Sequence, residues 1–293
     1  MPTFRCHEVD FKDQPFIRWV YPNKNSAGEE KPLTKTDAPA ENPVRVDRDG
    51  HVATITIDRP KVRNALDLDS ARQLTAAVDQ IENDPEIWVG IVTGGGSVAF
   101  SAGADLGARQ RGEPRAVIEP FGFGGFVRKP RTKPFIAAVN GYAVGGGLEI
   151  ALSCELVVAA PNATFSLPEV KRGLIGGGDC LPFAARALPP AIAADLALTG
   201  RQIGAEEAVQ LGLVNAVGAD VLSLAHEYAT RICDGAPQAV AATLSLLRNL
   251  VTPPPAGYYA LADAIQARLL TTEDAAEGAL AFKERRAPKW SGR

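Results

Sequence analysis

Apolar and polar positions change period several times along the chain. Between Val52 and Asp58, Ala53, Ile55 and Ile57 alternate with Val52, Thr54, Thr56 and Asp58. A period of two predicts a β-strand, and Arg59-Pro60 ends it. From Asp67 to Asn83 the spacing becomes helical, with Leu74, Ala77, Val78 and Ile81 on one face. Ser70 and Gln73 fit a capping box at its start. Trp88 to Thr93 reads as a short buried strand closed by Gly94-Gly95-Gly96. Further strand patterns fall at Phe135 to Val139, followed by Asn140-Gly141, and at Leu156 to Ala160. Strands alternating with helices predict an α/β chain. After Ala219 the pattern is almost wholly helical, over Val221–Ile232, Ala239–Leu250, Ala260–Leu270 and Glu273–Arg286, with Pro253-Pro254-Pro255 separating two of these segments.

Two stretches break the rhythm. Residues 1–42 are polar and proline-punctuated after about residue 22, yet carry Phe4, Phe11, Phe16, Ile17, Trp19, Val20 and Tyr21. They read as an extended arm or linker, either packed on its own subunit or docked on a neighbour. Residues 107–134 place Phe121, Phe123 and Phe126 among Gly122, Gly124 and Gly125, between Pro114, Pro120, Pro130 and Pro134. A loop this long is expected to act as a lid roofing an apolar pocket; the plainer alternative is a disordered insertion.

Composition narrows the function classes. The chain has 293 residues, 46% hydrophobic and 22% charged, with 31 basic and 34 acidic side chains for a net charge of −3. This excludes a protein that coats nucleic acid through phosphate electrostatics. Cys6, Cys154, Cys180 and Cys233 lie far apart, without metal-ligand or disulfide-framework spacing. They are expected to be reduced thiols in a cytoplasmic compartment. No signal peptide, membrane span or metal site is expected. His7, His51 and His226 are scattered and form no triad or metal-binding pattern.

The chemistry concentrates in three glycine-bearing elements. In Asn140-Gly141-Tyr142-Ala143-Val144-Gly145-Gly146-Gly147-Leu148-Glu149 a strand runs into three glycines and then a helix. Close backbone approach and the unpaired N–H groups of a first helical turn make a ready anion or oxyanion site. Glu149 sits just inside that helix, where a glutamate also serves simply to complement the helix dipole. Phe100-Ser101-Ala102-Gly103-Ala104-Asp105-Leu106 is positioned to present a second N–H, from Ala104, with Asp105 expected as a helix cap. Leu167-Pro168-Glu169-Val170 places a second carboxyl ahead of Gly173-Leu174-Ile175-Gly176-Gly177-Gly178. Two carboxyls flanking one carbon suit acid–base work. Gly94-Gly95-Gly96-Ser97-Val98-Ala99 fits a dinucleotide fingerprint in letters only, because Ala102-Gly103 interrupts any following helix. No GxSxG is present.

With these residues in view, the chain from about Val44 onward resembles the crotonase superfamily, and within it the enoyl-CoA hydratases. Asp58-Arg59-Pro60 with Arg63-Asn64-Ala65-Leu66 resembles the family's opening, and Phe100–Leu106 and Asn140–Glu149 its two oxyanion segments. Thr199-Gly200 through Ala205-Glu206-Glu207-Ala208 and Gly212-Leu213-Val214-Asn215 resembles its hinge to the helical tail. Leu188-Pro189-Pro190-Ala191-Ile192 and the ending Glu273–Arg293 look most like the carnitinyl-CoA dehydratase branch.

The resemblance implies an α/β, crotonase-like ββα spiral core over residues 43–218. Residues 1–42 would be an N-terminal extension, and 219–293 a helical region for oligomerisation and for covering CoA. It implies that the N–H groups of Ala104 and Gly146 hold a thioester carbonyl and that Glu149 and Glu169 are the catalytic pair. Arg63, Ala65, Ala102, Asp105, Leu106, Gly177 and Arg285 are implied to contact substrate or its CoA, with the Gly177 N–H able to touch the reacting water. No cofactor beyond the coenzyme A of the acyl-CoA substrate is implied, and the expected assembly is a homotrimer or a dimer of trimers. The resulting expectation is an enoyl-CoA hydratase or 3-hydroxyacyl-CoA dehydratase. The alternatives are an isomerase, a hydratase–lyase or a non-catalytic acyl-CoA-binding scaffold. One departure stands out: Asp179-Cys180 replace a glycine pair after the second glutamate, and Asp179 is expected to raise the pKa of Glu169 or narrow the pocket.

Overall fold

The computed structural model describes residues 42–250 and 258–289. Chain order alone explains how its two main sheets are built. β1 (Val44–Asp49) and β2 (Val52–Ile57) form an antiparallel hairpin, and α1 (Leu68–Asn83) follows. Thereafter the chain repeatedly lays a strand in one sheet, a strand in the other and then a helix. β3 (Val89–Gly94), β4 (Ala99–Ser101) and α2 (Leu106–Gln110) form one turn. After the small hairpin of β5 (Val117–Ile118) and β6 (Gly122–Phe123), β7 (Phe135–Val139), β8 (Tyr142–Val144) and α3 (Gly146–Leu152) form the next. β9 (Leu156–Ala159), β10 (Thr164–Ser166) and the 3-10 turn Pro168–Arg172 lead to α4 (Cys180–Ala187) and α5 (Pro190–Thr199). β11 (Gln202–Gly204), α6 (Ala205–Gln210) and β12 (Ala216–Val217) close the core.

One sheet therefore has the order β1-β2-β3-β7-β9-β12 and the other β11-β10-β8-β4. Beyond the β1–β2 and β10–β11 pairs, both sheets are parallel. The expected ββα spiral is this arrangement.

The larger sheet is covered on both faces, as parallel strands require. One face contributes Ala53, Ile55, Ile57, Val92, Ala137 and Val139 to the main core, together with Leu74, Val78 and Ile81 of α1. The opposite face carries Val52, Val89, Ile91, Ile136, Ala138 and Val158 against Val221, Ala225 and Ala229 of α7 (Val221–Cys233). The alternation at residues 52–58 thus marks two buried faces: Thr54 and Thr56 lie under cover, and the Thr54 hydroxyl is 3.4 Å from His226 Nε2 on α7. The remaining helices are α8 (Pro237–Leu250), α9 (Tyr258–Leu269) and α10 (Glu273–Glu284), close to the expected tail segments. Pro253-Pro254-Pro255 and residues 1–41 fall outside the described residues.

Two local expectations are corrected. The capping box of α1 is formed by Asp67 and Ser70, not Ser70 and Gln73: the Asp67 carboxylate accepts the Ser70 N–H and the Ser70 hydroxyl accepts the Asp67 N–H, both at 2.9 Å. Gln73 instead donates to Asp69. The 107–134 stretch is an ordered, docked segment, not a disordered insertion. Phe126 is fully buried, edge-on to Phe135 at 5.6 Å. A Cβ on Gly125 would stand 1.8 Å from the Thr75 hydroxyl, so that glycine lets the segment lie flush on α1. Phe123 reaches the glycine-rich start of α3, where its ring lies 2.5 Å from the position of a Cβ on Gly146.

Candidate active site

The site is assembled at the first turn of α3. Strand β8 delivers Gly145, the N-cap, with φ +57° and ψ −120°, a combination effectively restricted to glycine. From that turn the chain enters a helix whose second and fourth residues, Gly147 and Glu149, point inward and are buried. A Cβ on Gly147 would lie 2.0 Å from the Ser101 carbonyl oxygen; its absence allows the Ser101–Ala104 segment to press against the helix.

That segment is held from below. The Leu66 N–H donates to the Gly103 carbonyl and the Asp105 N–H to the Leu66 carbonyl, each at 2.8 Å. These bonds leave the intervening Ala104 N–H facing outward. Ser101 Oγ donates to the Asn64 carbonyl, and the buried Asn64 amide donates to the Gly95 and Ala99 carbonyls. Arg59 bridges Asp67 at 2.6 Å and Asp105 at 3.1 Å and also donates to the Ala65 carbonyl. Asp105 caps α2 through the Ala108 N–H, as expected. Gly103 abuts the first turn of α3, with a Cβ there 3.0 Å from the Gly146 nitrogen. Among the described residues neither the Ala104 nor the Gly146 N–H donates to a backbone carbonyl. Two free donors therefore stand on adjoining segments, the arrangement a developing oxyanion needs.

Both glutamates meet the same helical turn. Glu169, in the turn Pro168–Arg172, brings Oε1 to 2.6 Å from where a Gly145 Cβ would be, and its buried Oε2 has no hydrogen-bond partner. Glu149 is held at both oxygens: the Asp179 N–H donates to Oε1 and Cys180 Sγ contacts Oε2, each at 3.0 Å. Burial lifts the Glu149 carboxyl to about 8, against the Cys180 hydrogen bond, with the Asp179 charge adding to the rise. Burial also raises Glu169, opposed by its own backbone N–H and by Arg172. Burial holds the Cys180 thiol well above its usual range, and both carboxylates add to that effect. A thiol that senses both glutamates ties them to one electrostatic neighbourhood.

The other expected contacts are less uniform. Ala65 is buried, and Ala102 donates its N–H to the Arg63 carbonyl at 3.0 Å. Leu106 is exposed at the start of α2. Arg63 and Arg285 are exposed left-handed residues, the latter capping α10. Gly177 departs from expectation: its N–H donates to the Ile175 carbonyl at 2.8 Å, closing a turn, so it is not free for water. Gly178 adjoins Glu149 instead, with a Cβ there 3.1 Å from Oε1. Asp179 also acts elsewhere than expected. It neighbours Glu149, not Glu169, and its buried carboxylate pairs with Arg128 at 2.9 Å and accepts from the Tyr259 hydroxyl. Arg128 and Tyr259 have no local motif, which is why sequence patterns pass over them. The turn carrying Glu169 is backed by α10: a Cβ on Gly278 would sit 2.7 Å from the Arg172 backbone, and one on Gly173 2.8 Å from that of Ala275.

Among the described residues no group of three His, Cys, Asp or Glu converges on a point that could hold a metal, and no helix is long and apolar enough to cross a membrane. His51 is stacked on Trp88 at 3.6 Å.

Spiral, paired donors and paired carboxyls together define a crotonase-type site. Residues 47–293 match the enoyl-CoA hydratase/isomerase family model. The carnitinyl-CoA dehydratase of Salmonella typhi is 42% identical over 257 residues, covering 84% of this chain and 97% of that protein. A carnitinyl-CoA hydratase from Mycobacterium avium superposes with a TM-score of 0.81 at 40% identity, over 87% of this chain and all of the other. An enoyl-CoA hydratase from Mycobacterium tuberculosis H37Rv gives 0.70 at 44% identity, over 86% and 100%. The chain belongs to the enoyl-CoA hydratase/isomerase family, and its fold is the crotonase fold. It is accordingly a hydro-lyase of the enoyl-CoA hydratase type.

Proposed function

We propose that the chain interconverts an enoyl-CoA and its 3-hydroxyacyl-CoA by a two-glutamate mechanism, on a substrate of the carnitinyl-CoA kind. The carrying observation is that two carboxyls and two unpaired N–H groups meet at the first turn of α3. In hydration, water attacks the β-carbon and gives its proton to Glu149. The alkene electrons move onto the thioester oxygen, where the Ala104 and Gly146 N–H groups take up the charge. The enolate then collapses and the α-carbon takes a proton from Glu169. Dehydration runs the same steps in reverse. Burial raises both carboxyls, and hydration proceeds from the form in which Glu149 is ionised, accepting from the Asp179 N–H and the Cys180 thiol, while Glu169, whose buried Oε2 has no partner, holds a proton.

Ala65, Ala102, Asp105 and Leu106 line the acyl thioester side in this reading, and the exposed Arg63 and Arg285 supply charge for the CoA phosphates. No cofactor beyond coenzyme A enters. A cytoplasmic trimer or dimer of trimers is the proposed assembly, with exposed Leu198, Leu246 and Leu247 available for subunit contact. The 42% identity to a carnitinyl-CoA dehydratase supports the substrate class. The test is a panel of enoyl-CoA thioesters, carnitinyl and aromatic ones included, with product stereochemistry recorded. Hydration of at least one is expected; binding without turnover on any of them overturns the reading.

A further inference from the structure

Where relatives of the hydratase type are expected to carry a glycine pair, this chain carries Asp179-Cys180, and the structure gives both residues work. Asp179 is completely buried. Its backbone N–H faces Glu149 Oε1 and its carboxylate turns the other way, onto Arg128 Nε at 2.9 Å and the Tyr259 hydroxyl. Arg128 in turn lies over the Tyr259 ring at 4.5 Å. A buried carboxylate needs such partners, because desolvated charge without them is costly. The three come from separate parts of the chain: the loop after β6, the start of α4, and α9.

We propose that Asp179, held by Arg128 and Tyr259, is a positioning residue that sets which protonation state Glu149 presents to substrate. The inference rests on reading Glu149 as a reacting group. Ionisable groups surround this corner, and Asp179, Cys180 and Arg128 act on Glu149 directly. Asp179 and Cys180 come from the start of α4, with Arg186 further along that helix. Arg128 comes from the loop, Glu169 from the turn Pro168–Arg172, and Tyr259 through Asp179. Asp179 opposes ionisation of Glu149 through its charge and favours it through its N–H, while Arg128 offsets the charge. Arginine and aspartate thus form a graded counterweight behind the carboxyl. A glycine pair at this place would supply backbone N–H groups but no charge.

The experiment has two readouts. The titration of the Glu149 carboxyl is followed in the full chain by carbon-13 NMR of labelled glutamate, the resonance being assigned by its loss in E149Q. The pH profile of kcat/KM is recorded beside it on the best enoyl-CoA of the panel. D179N removes the opposing charge and keeps the N–H, so the titration should move down by about one pH unit. R128Q leaves Asp179 unbalanced, so it should move up by a similar amount, and R128K should restore it. The acid limb of kcat/KM should follow in the same directions. A merely structural role would lower activity in D179N and R128Q while leaving both readouts in place, and that result overturns the proposal. Titration shifts without matching limbs overturn the link to turnover. A wild-type chain that turns over no enoyl-CoA fails the functional reading instead, and the NMR titration still decides whether Asp179 governs Glu149.

Discussion

Glu169 ends against Gly145, the residue that caps the helix carrying Glu149: Oε1 stands 2.6 Å from the position a Cβ on Gly145 would take. One turn of backbone thus spaces the two carboxyls, so Gly145→Ala disturbs both. Its φ of +57° with ψ of −120° adds strain of about 1–3 kcal/mol for an L side chain. The variant should fold with a lowered Tm and lose on the order of 10² or more in kcat, since the oxyanion donor at Gly146 moves with the cap. Near-normal kcat would show that the cap does not set the spacing.

Removing each carboxyl separates the proposed roles. Glu149→Gln and Glu169→Gln should each cost roughly 10²–10⁴ in hydration. Exchange of the α-proton of a saturated acyl-CoA in heavy water should survive in the first and vanish in the second. Equal loss of exchange in both would defeat the division of labour.

Burial of Glu149 also makes a stability prediction whose sign follows from linkage. Its folded-state value, about 8, is raised from 4.5. Below 4.5 the carboxyl is protonated in both states and nothing is lost. Between the two values the unfolded chain releases the proton and the folded one keeps it, so stability from this group falls as pH rises and levels off above 8. Glu149→Gln lacks that loss. Its Tm relative to wild type should rise across this window and stay flat outside it, as scanning calorimetry at several pH values would show.

Arg59 ties Asp67, the cap of α1, to Asp105, the cap of α2, beneath the Ala104 donor. Arg59→Met should leave substrate binding largely intact and reduce kcat about tenfold or more by letting that donor drift. A change confined to KM would place Arg59 in binding instead.

Phe126 is completely buried against Phe135 and the 107–134 segment folds around it. Phe126→Ala should cost about 3–5 kcal/mol in denaturant unfolding. A loss below 1 kcal/mol would mean that the segment contributes little to the core.

Much of this site was legible because its key groups sit where short-range patterns change. Gly145-Gly146-Gly147 before Glu149, and Gly103-Ala104 after a strand, mark places where backbone must come close to something, and that requirement is local. The alternation of strands and helices followed from their periods for the same reason, whereas the ββα spiral came from the family resemblance. Long-range packing erased the rest. Thr54 and Thr56 look like a solvent face until α7, some 170 residues later, covers them. Arg128 and Tyr259 lie 51 and 80 residues from Asp179, and nothing in their neighbourhoods announces a buried carboxylate. Asp179 was visible as an oddity, but whether its charge reaches Glu149 or Glu169 depends on how the turn before α4 is laid.

The contact of Gly278 with the Arg172 backbone ties the turn that carries Glu169 to α10. That helix is a buttress for the carboxyl at 169, and a bulkier residue at 278 would prise the two apart. Shortening the chain ahead of residue 273 would leave both carboxyls in the sequence yet deprive one of them of its footing.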